Sequence, residues 1–204
     1  SVICSDKTGT LTENHMTVTQ VHVAGRNLDV SGVGYDVSGH FSEAGAPLAL
    51  GSLPALRRLL QIGVACNNAH LGEEGSGIGD PTELALLVSA TKGGLTKEGL
   101  RRFEEIPFDS STKFMAVLVE WEGRRFIAAK GAPEILLPHC PRGLNADGQP
   151  VPIDRDDYLN AARIFARQAL RTLGFAYREV DTNHSDLLHA DLREIVLIEK
   201  RAYD

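Results

Sequence analysis

The 204-residue sequence predicts an α+β fold, an antiparallel twisted sheet flanked by helices. Two observations carry that expectation. Strand-like alternation comes in neighbouring pairs joined by turn residues, at 16–23 before Ala24-Gly25-Arg26 and at 115–121 before Glu122-Gly123. Helical spacing of apolar residues follows start signals at Pro54, at Asp80-Pro81 and at Asp154.

The elements follow in order. Val2-Ile3-Cys4 reads as a short strand with Asp6 at its carboxyl end, where open α/β sheets place their ligands. In 16–23, Thr17, Thr19, Val21 and Val23 share one face, and 27–30 returns as the partner strand. Residues 31–51 are rich in Gly, Ser and Pro without periodicity and read as a long loop. Leu56, Leu59, Leu60 and Val64 predict a core-facing helix from Pro54 to about His70, with Arg57, Arg58 and Gln61 facing elsewhere. Residues 71–79 form a glycine-rich loop that lacks the spacing and the preceding strand of a dinucleotide fingerprint. A second helix takes Asp80 as N-cap, Pro81 at its first position and Leu84, Leu87 and Val88 as its buried stripe, with Glu83 at the place of a capping-box partner.

After Gly93-Gly94, 103–108 reads as a strand, and 115–121 puts Met115, Val117, Val119 and Trp121 on one face before 125–130 returns. Pro133 starts a short helix that Pro138 weakens, and 141–152 reads as another loop. Asp154 caps the longest helix, expected to run to about Thr172 with Tyr158, Ala162, Phe165 and Ala169 inward and Gly174 at its end. Residues 175–180 and 194–198 are the closing strands.

Composition narrows the class. With 43% hydrophobic and 24% charged residues, the chain can bury a core as a globular protein. No run approaches the roughly 18 to 20 apolar residues that cross a bilayer as a helix. A net charge of -6 argues against nucleic acid as a partner. Cys4, Cys66 and Cys140, without a CxxC pair, fit a reduced setting, and His139, His184 and His189 do not have metal-ligand spacing. With Ser1 where a start methionine would stand and no lead-in to the first strand, the sequence reads as a piece of a longer protein.

The chemistry concentrates at Asp6-Lys7-Thr8-Gly9-Thr10-Leu11-Thr12. A carboxylate at a strand end can attack a phosphoryl group, Lys7 can neutralise phosphate charge, Gly9 admits close backbone, and the threonine hydroxyls can donate to phosphate oxygens. This run resembles the phosphorylation signature of P-type cation-transporting ATPases. Related haloacid-dehalogenase phosphatases keep a second aspartate where this chain has Thr8, so the resemblance implies a phosphoenzyme that water attacks poorly.

Four further runs resemble the nucleotide-binding domain of the same family and extend the likeness over about 2–198. In Gly-Asp-Pro-Thr-Glu-Leu-Ala-Leu (79–86) the resemblance puts Glu83 near the adenine amino group. In Pro-Phe-Asp-Ser-Ser-Thr-Lys-Phe-Met (107–115) it makes Phe108 the ring that stacks on adenine, with Lys113 and Met115 lining the pocket. An arginine that one calcium pump of the family carries at Ser110 is missing here. Lys-Gly-Ala-Pro-Glu (130–134) resembles the deep wall, with Lys130 beside the purine and Gly131 leaving room for it. Leu-Arg-Thr-Leu-Gly-Phe-Ala-Tyr-Arg (170–178) makes Arg171 the partner of the phosphates. The His-Pro signature of heavy-metal pumps is missing, which favours the calcium, sodium-potassium and proton pump branch.

The resemblance thus implies a division into a phosphorylation-domain stub (1–17, the first strand of a haloacid-dehalogenase-like domain), a nucleotide-binding domain (18–199) and a tail (200–204). It implies ATP and Mg²⁺ as cofactors, with Asp6 and Lys7 catalytic and Mg²⁺ held by Asp6 and the Thr8 carbonyl. Partners would be the remaining phosphorylation, actuator and transmembrane domains of a pump at the cytoplasmic face of a membrane. Two rival readings stand beside it: a stand-alone ATP-binding module without catalysis, and a soluble haloacid-dehalogenase-type phosphatase.

Overall fold

The computed structural model describes residues 15–72, 76–168 and 170–187, and the backbone of 196–202. Asp6, Lys7, Thr8, the expected first strand and the 1–17 stub up to residue 14 lie outside the described residues, as do Ala169 and His189.

A two-residue turn with both residues at positive φ matches the twist of an antiparallel pair, and three such turns set the early and central hairpins. Ala24-Gly25 joins β1 (Gln20–Val23) to β2 (Arg26–Val30), with Val23 opposite Arg26. Ala44-Gly45 joins β3 (Phe41–Glu43) to β4 (Ala46–Leu48), inside the stretch expected to be a loop. Glu122-Gly123 later joins the strands 114–121 and 124–131 in the same way, with Trp121 opposite Arg124.

Helix α1 (Pro54–Ala65) buries Leu56, Leu59, Leu60 and Val64 as expected, but ends five residues before His70. The end is chemically enforced. Asn67 Oδ1 accepts the Ala69 N–H at 2.9 Å, turning the chain, while Arg102 and Lys97 donate to the carbonyls of Ala65, Asn67 and Ala69. The short pair β5 (His70–Leu71) and β6 (Gly77–Ile78) follows within the expected glycine-rich loop. Helix α2 (Pro81–Lys92) starts where expected: Asp80 Oδ1 accepts from the N–H groups of Thr82 and Glu83 at 2.8 and 3.2 Å.

The central strands are β7 (Arg101–Asp109), β8 (Phe114–Trp121) and β9 (Arg124–Gly131). Helix α3 (Pro133–Leu136) runs into a 3-10 turn at Leu137–His139, as Pro138 demands. The expected loop 141–152 contains a hairpin, β10 (Arg142–Leu144) with β11 (Pro150–Pro152). Helix α4 (Arg155–Arg167) is capped by Asp154 but stops short of Thr172. By Arg171 the chain has entered β12 (Arg171–Glu179), so Gly174 is no helix terminator; it stands mid-strand, opposite Gly131. The buried residues of α4 are Tyr158, Ala161 and Phe165, with Ala162 only partly covered. The last strand, β13 (Val196–Ala202), takes residues 200–202 into the sheet, where a tail was expected.

Among the described residues, the large sheet has the order β4-β3-β2-β1-β13-β12-β9-β8-β7, with β10 and β11 attached through β13. Its pairings are antiparallel except β10 with β13. Met115, Val117, Val119 and Trp121 share a core with Phe126, Phe175, α1 and α2, as their alternation predicts. The opposite face is buried too: Ala116, Leu118, Ile127, Ala129 and Ala176 lie under Leu136, Leu137 and Tyr158. The small alanines let α3 and α4 approach, and a sheet covered on both faces shows weak alternation in its sequence. The His22 ring, held between Asn27 Oδ1 at 2.9 Å and Asp157 Oδ2 at 3.0 Å, ties the first hairpin to α4.

Candidate functional site

Directly opposed residues of an antiparallel pair point to the same face, so the register places one row of side chains at the end of the sheet. Met115 opposes Lys130, and Lys130 opposes Phe175; all three face α1 and α2. Leu173 and Arg171 continue this face along β12 toward the strand start. The N-terminal turn of α2 lies over it, which brings Asp80, Thr82 and Glu83 against Met115, Lys130, Phe108, Arg171 and Leu173 around a cavity of about 220 Å³.

Of the seven nucleotide-site residues expected from sequence, five line this cavity: Glu83, Phe108, Met115, Lys130 and Arg171. Phe108 is 59% exposed near the end of edge strand β7. Its strand departs from regular register between Ile106 and Asp109, at Pro107, and such an irregularity re-aims the side chains that follow it. The Asp109 carboxyl accepts from Ser111 and Thr112 in the adjoining turn, which holds it below the usual carboxylate range. A large ring left in solvent beside a cavity offers a stacking surface.

Glu83 does not close a capping box. Its Oε1 accepts from Lys130 Nζ at 2.9 Å and its Oε2 from the Asn68 N–H at 2.8 Å. The pair is mostly buried, with side-chain exposures of 8% for Lys130 and 14% for Glu83. Each partner supplies the opposite charge that the other needs away from water. Thr82 Oγ1 donates to Met16 Sδ at 3.1 Å, so the segment entering β1 touches the cavity wall. Arg171 is exposed, and no ion pair of it is among those of the described residues.

Two of the expected residues lie outside the cavity lining. Lys113 is exposed in the β7–β8 turn at φ 57 and is outside the cavity lining. Gly131 is also outside it, and a Cβ there would meet Lys113 O and Phe114 Cβ at 2.6 Å, so the neighbouring chain at the start of β8 by itself requires a glycine. Asp80, Thr82 and Leu173 also line the cavity, and the sequence signals none of them as a site residue although they lie within the runs 79–86 and 170–178. Among the described residues, no three His, Cys, Asp or Glu side chains converge to hold a metal ion, and no helix is long and apolar enough to cross a membrane.

The arrangement offers an aromatic face, an apolar floor, a buried ion pair and an exposed cation at the mouth. Such groups can take a flat apolar ring that carries an anionic extension. The family model described as P-type ATPase, cytoplasmic domain N, matches residues 55–201. The chain is 42% identical to the cation-transporting ATPase pma1 of Synechocystis, over 94% of this chain and 22% of that protein. It is 36% identical to a calcium-transporting ATPase of Bacillus subtilis, over 97% of this chain and 23% of that one. For calcium-transporting ATPase 1 of Lactococcus lactis the identity is 33%, over 97% and 21%. The chain therefore spans between a fifth and a quarter of the length of these curated relatives.

Proposed function

This chain belongs to the P-type ATPase family as a cytoplasmic N domain, and from that premise we propose that it binds ATP in the cavity formed by Glu83, Phe108, Met115, Lys130 and Arg171. The observation that carries the reading is the exposed Phe108 ring beside a cavity with cations at its wall and mouth. Adenine stacks on Phe108 over Met115, the Glu83–Lys130 pair forms the polar wall, and Arg171 meets the phosphates. At about 220 Å³ the cavity is smaller than the roughly 300 to 1,000 Å³ of whole-ligand sites, so it takes the base and leaves the phosphates outside. Binding is correspondingly weak.

In a longer protein of the relatives' kind, the phosphates would project toward Asp6. Its carboxylate oxygen would attack the γ-phosphorus as the bond to the β-phosphate oxygen breaks, giving an aspartyl phosphate and releasing ADP. Lys7 offsets phosphate charge. Asp6 and the Thr8 carbonyl are hard oxygen donors of the kind Mg²⁺ takes, and the ion would supply charge neutralisation there. That protein would couple ATP hydrolysis to cation transport, with this domain, from residue 18 through β13, on the cytoplasmic side and the 1–17 segment belonging to the phosphorylation domain.

Titration calorimetry tests the binding: ATP should bind with a Kd of roughly millimolar order, and no heat at tenfold higher concentration contradicts it. A chimaera tests Asp6. Replacing the matching segment of a relative pump with this chain should preserve an acid-stable phosphoenzyme from radiolabelled ATP, and Asp6→Asn should abolish it.

A further inference from the structure

Asn67 lies between α1 and β5, only 2% exposed, and lines no part of the cavity. Both ends of its amide are used. Oδ1 accepts the Ala69 N–H at 2.9 Å, and Nδ2 donates to the Glu83 backbone carbonyl at 2.8 Å, with a longer contact of 3.4 Å to the Gly63 carbonyl. The Asn67 carbonyl in turn accepts from Lys97 Nζ and Arg102 Nη2. Next to it, Asn68 gives its N–H to Glu83 Oε2, and its side chain is held by Arg102 and Glu105.

A helix carbonyl in the first turn of α2 is already claimed by the helix, so a second donor from outside it serves to fix where that turn sits. The same corner that fixes the Glu83 backbone presents the N–H that fixes its carboxylate. Resting on the nucleotide-pocket reading above, the structure assigns Asn67 the role of a positioning residue: by clamping Glu83 at its carbonyl, it holds the carboxylate where it keeps the Lys130 ammonium in the cavity wall.

The sequence hides this residue because an asparagine after a helix reads as an ordinary turn former. Its two hydrogen bonds are separable. Asn67→Asp keeps the acceptor for Ala69 and removes the donor to Glu83, with Lys97 and Arg102 nearby to receive the new charge. Asn67→Ser, neutral and shorter, keeps a weaker turn-forming oxygen and also loses the reach to Glu83.

The experiment reads the 204-residue chain twice. Without ligand, the Lys130 ammonium signal, protected from solvent exchange by its pairing in the wild type, should broaden or vanish in both variants. With ATP, Kd should rise by about tenfold, the effect of one buried hydrogen bond lost from a site. Glu83→Gln combined with Asn67→Asp should be no worse than Glu83→Gln alone. A folded Asn67→Asp or Asn67→Ser variant that keeps both the Lys130 signal and the wild-type Kd overturns the role. So does a fall in melting temperature with both readouts unchanged, which is a structural effect only. Loss of the Lys130 signal in a chain that binds no ATP supports the positioning and overturns the pocket reading instead.

Discussion

Lys130 Nζ stands 2.9 Å from Glu83 Oε1 while the other oxygen of that carboxylate takes the Asn68 N–H. One carboxylate thereby joins the end of β9, the start of α2 and the corner between α1 and β5 at the cavity wall. The two groups that the motifs single out for the nucleotide thus meet each other first, and a base entering the cavity faces a neutralised pair.

Removing one partner leaves the other charge mostly buried. Lys130→Ala should therefore lower unfolding stability by on the order of 3 kcal/mol, since breaking a buried pair strands its remaining charge. Urea unfolding measures this. A change within the scatter of surface mutations would mean that Glu83 is solvated and the pair is incidental.

Phe108 is 59% exposed, so its truncation removes little core packing. Phe108→Ala should weaken ATP binding by about 1 to 3 kcal/mol, the value of a base-aromatic stack. The melting temperature should barely move. An unfolded variant with no separable binding defect would make Phe108 a core residue.

Gly131→Ala puts a methyl against the Lys113 carbonyl and Phe114 Cβ, where a contact of 2.6 Å requires backbone to move. A loss of roughly 1 to 3 kcal/mol follows from such overpacking. Unfolding by urea detects it. Unchanged stability with weakened ATP binding would favour Gly131 as room for the purine over a packing role.

Burial pushes the Cys66 thiol up to about 12 from an ordinary 9.0. The folded pKa is the higher one, so the stability from keeping this thiol neutral is complete below about pH 9 and is lost as pH climbs toward 12. Within that window the unfolded chain releases a proton that the folded chain keeps, and each pH unit costs about 1.4 kcal/mol. Cys66→Ala should flatten the fall in urea stability between pH 9 and 11. An unaltered slope would mean that other groups carry it.

The cavity was legible because Glu83, Phe108, Met115, Lys130 and Arg171 each lie in a short motif at the end of a strand or the start of a helix. What escaped has physical reasons. Ala44-Gly45 makes a tight turn with alanine at positive φ, where asparagine or aspartate would have announced it. Strands β10 and β11 are three residues each, too short for alternation to register. The early end of α1 depends on Arg102 and Lys97, some 30 residues downstream, and no local pattern foretells that. The close approach of Lys113 and Phe114 to Gly131 comes from the neighbouring strand, which no local pattern around Gly131 shows.

The central claim is that adenine nucleotide enters the cavity between β7, β8, β9, β12 and the first turn of α2. Amide NMR of the labelled chain, titrated with ATP to several millimolar, tests it most directly. Shifts should cluster at Phe108, Met115, Lys130, Arg171 and the Thr82-Glu83 turn, and Phe108→Ala should move the whole set to higher concentration. Shifts confined to 71–79, or scattered over the far end of the sheet around Glu122 and Gly123, would contradict it.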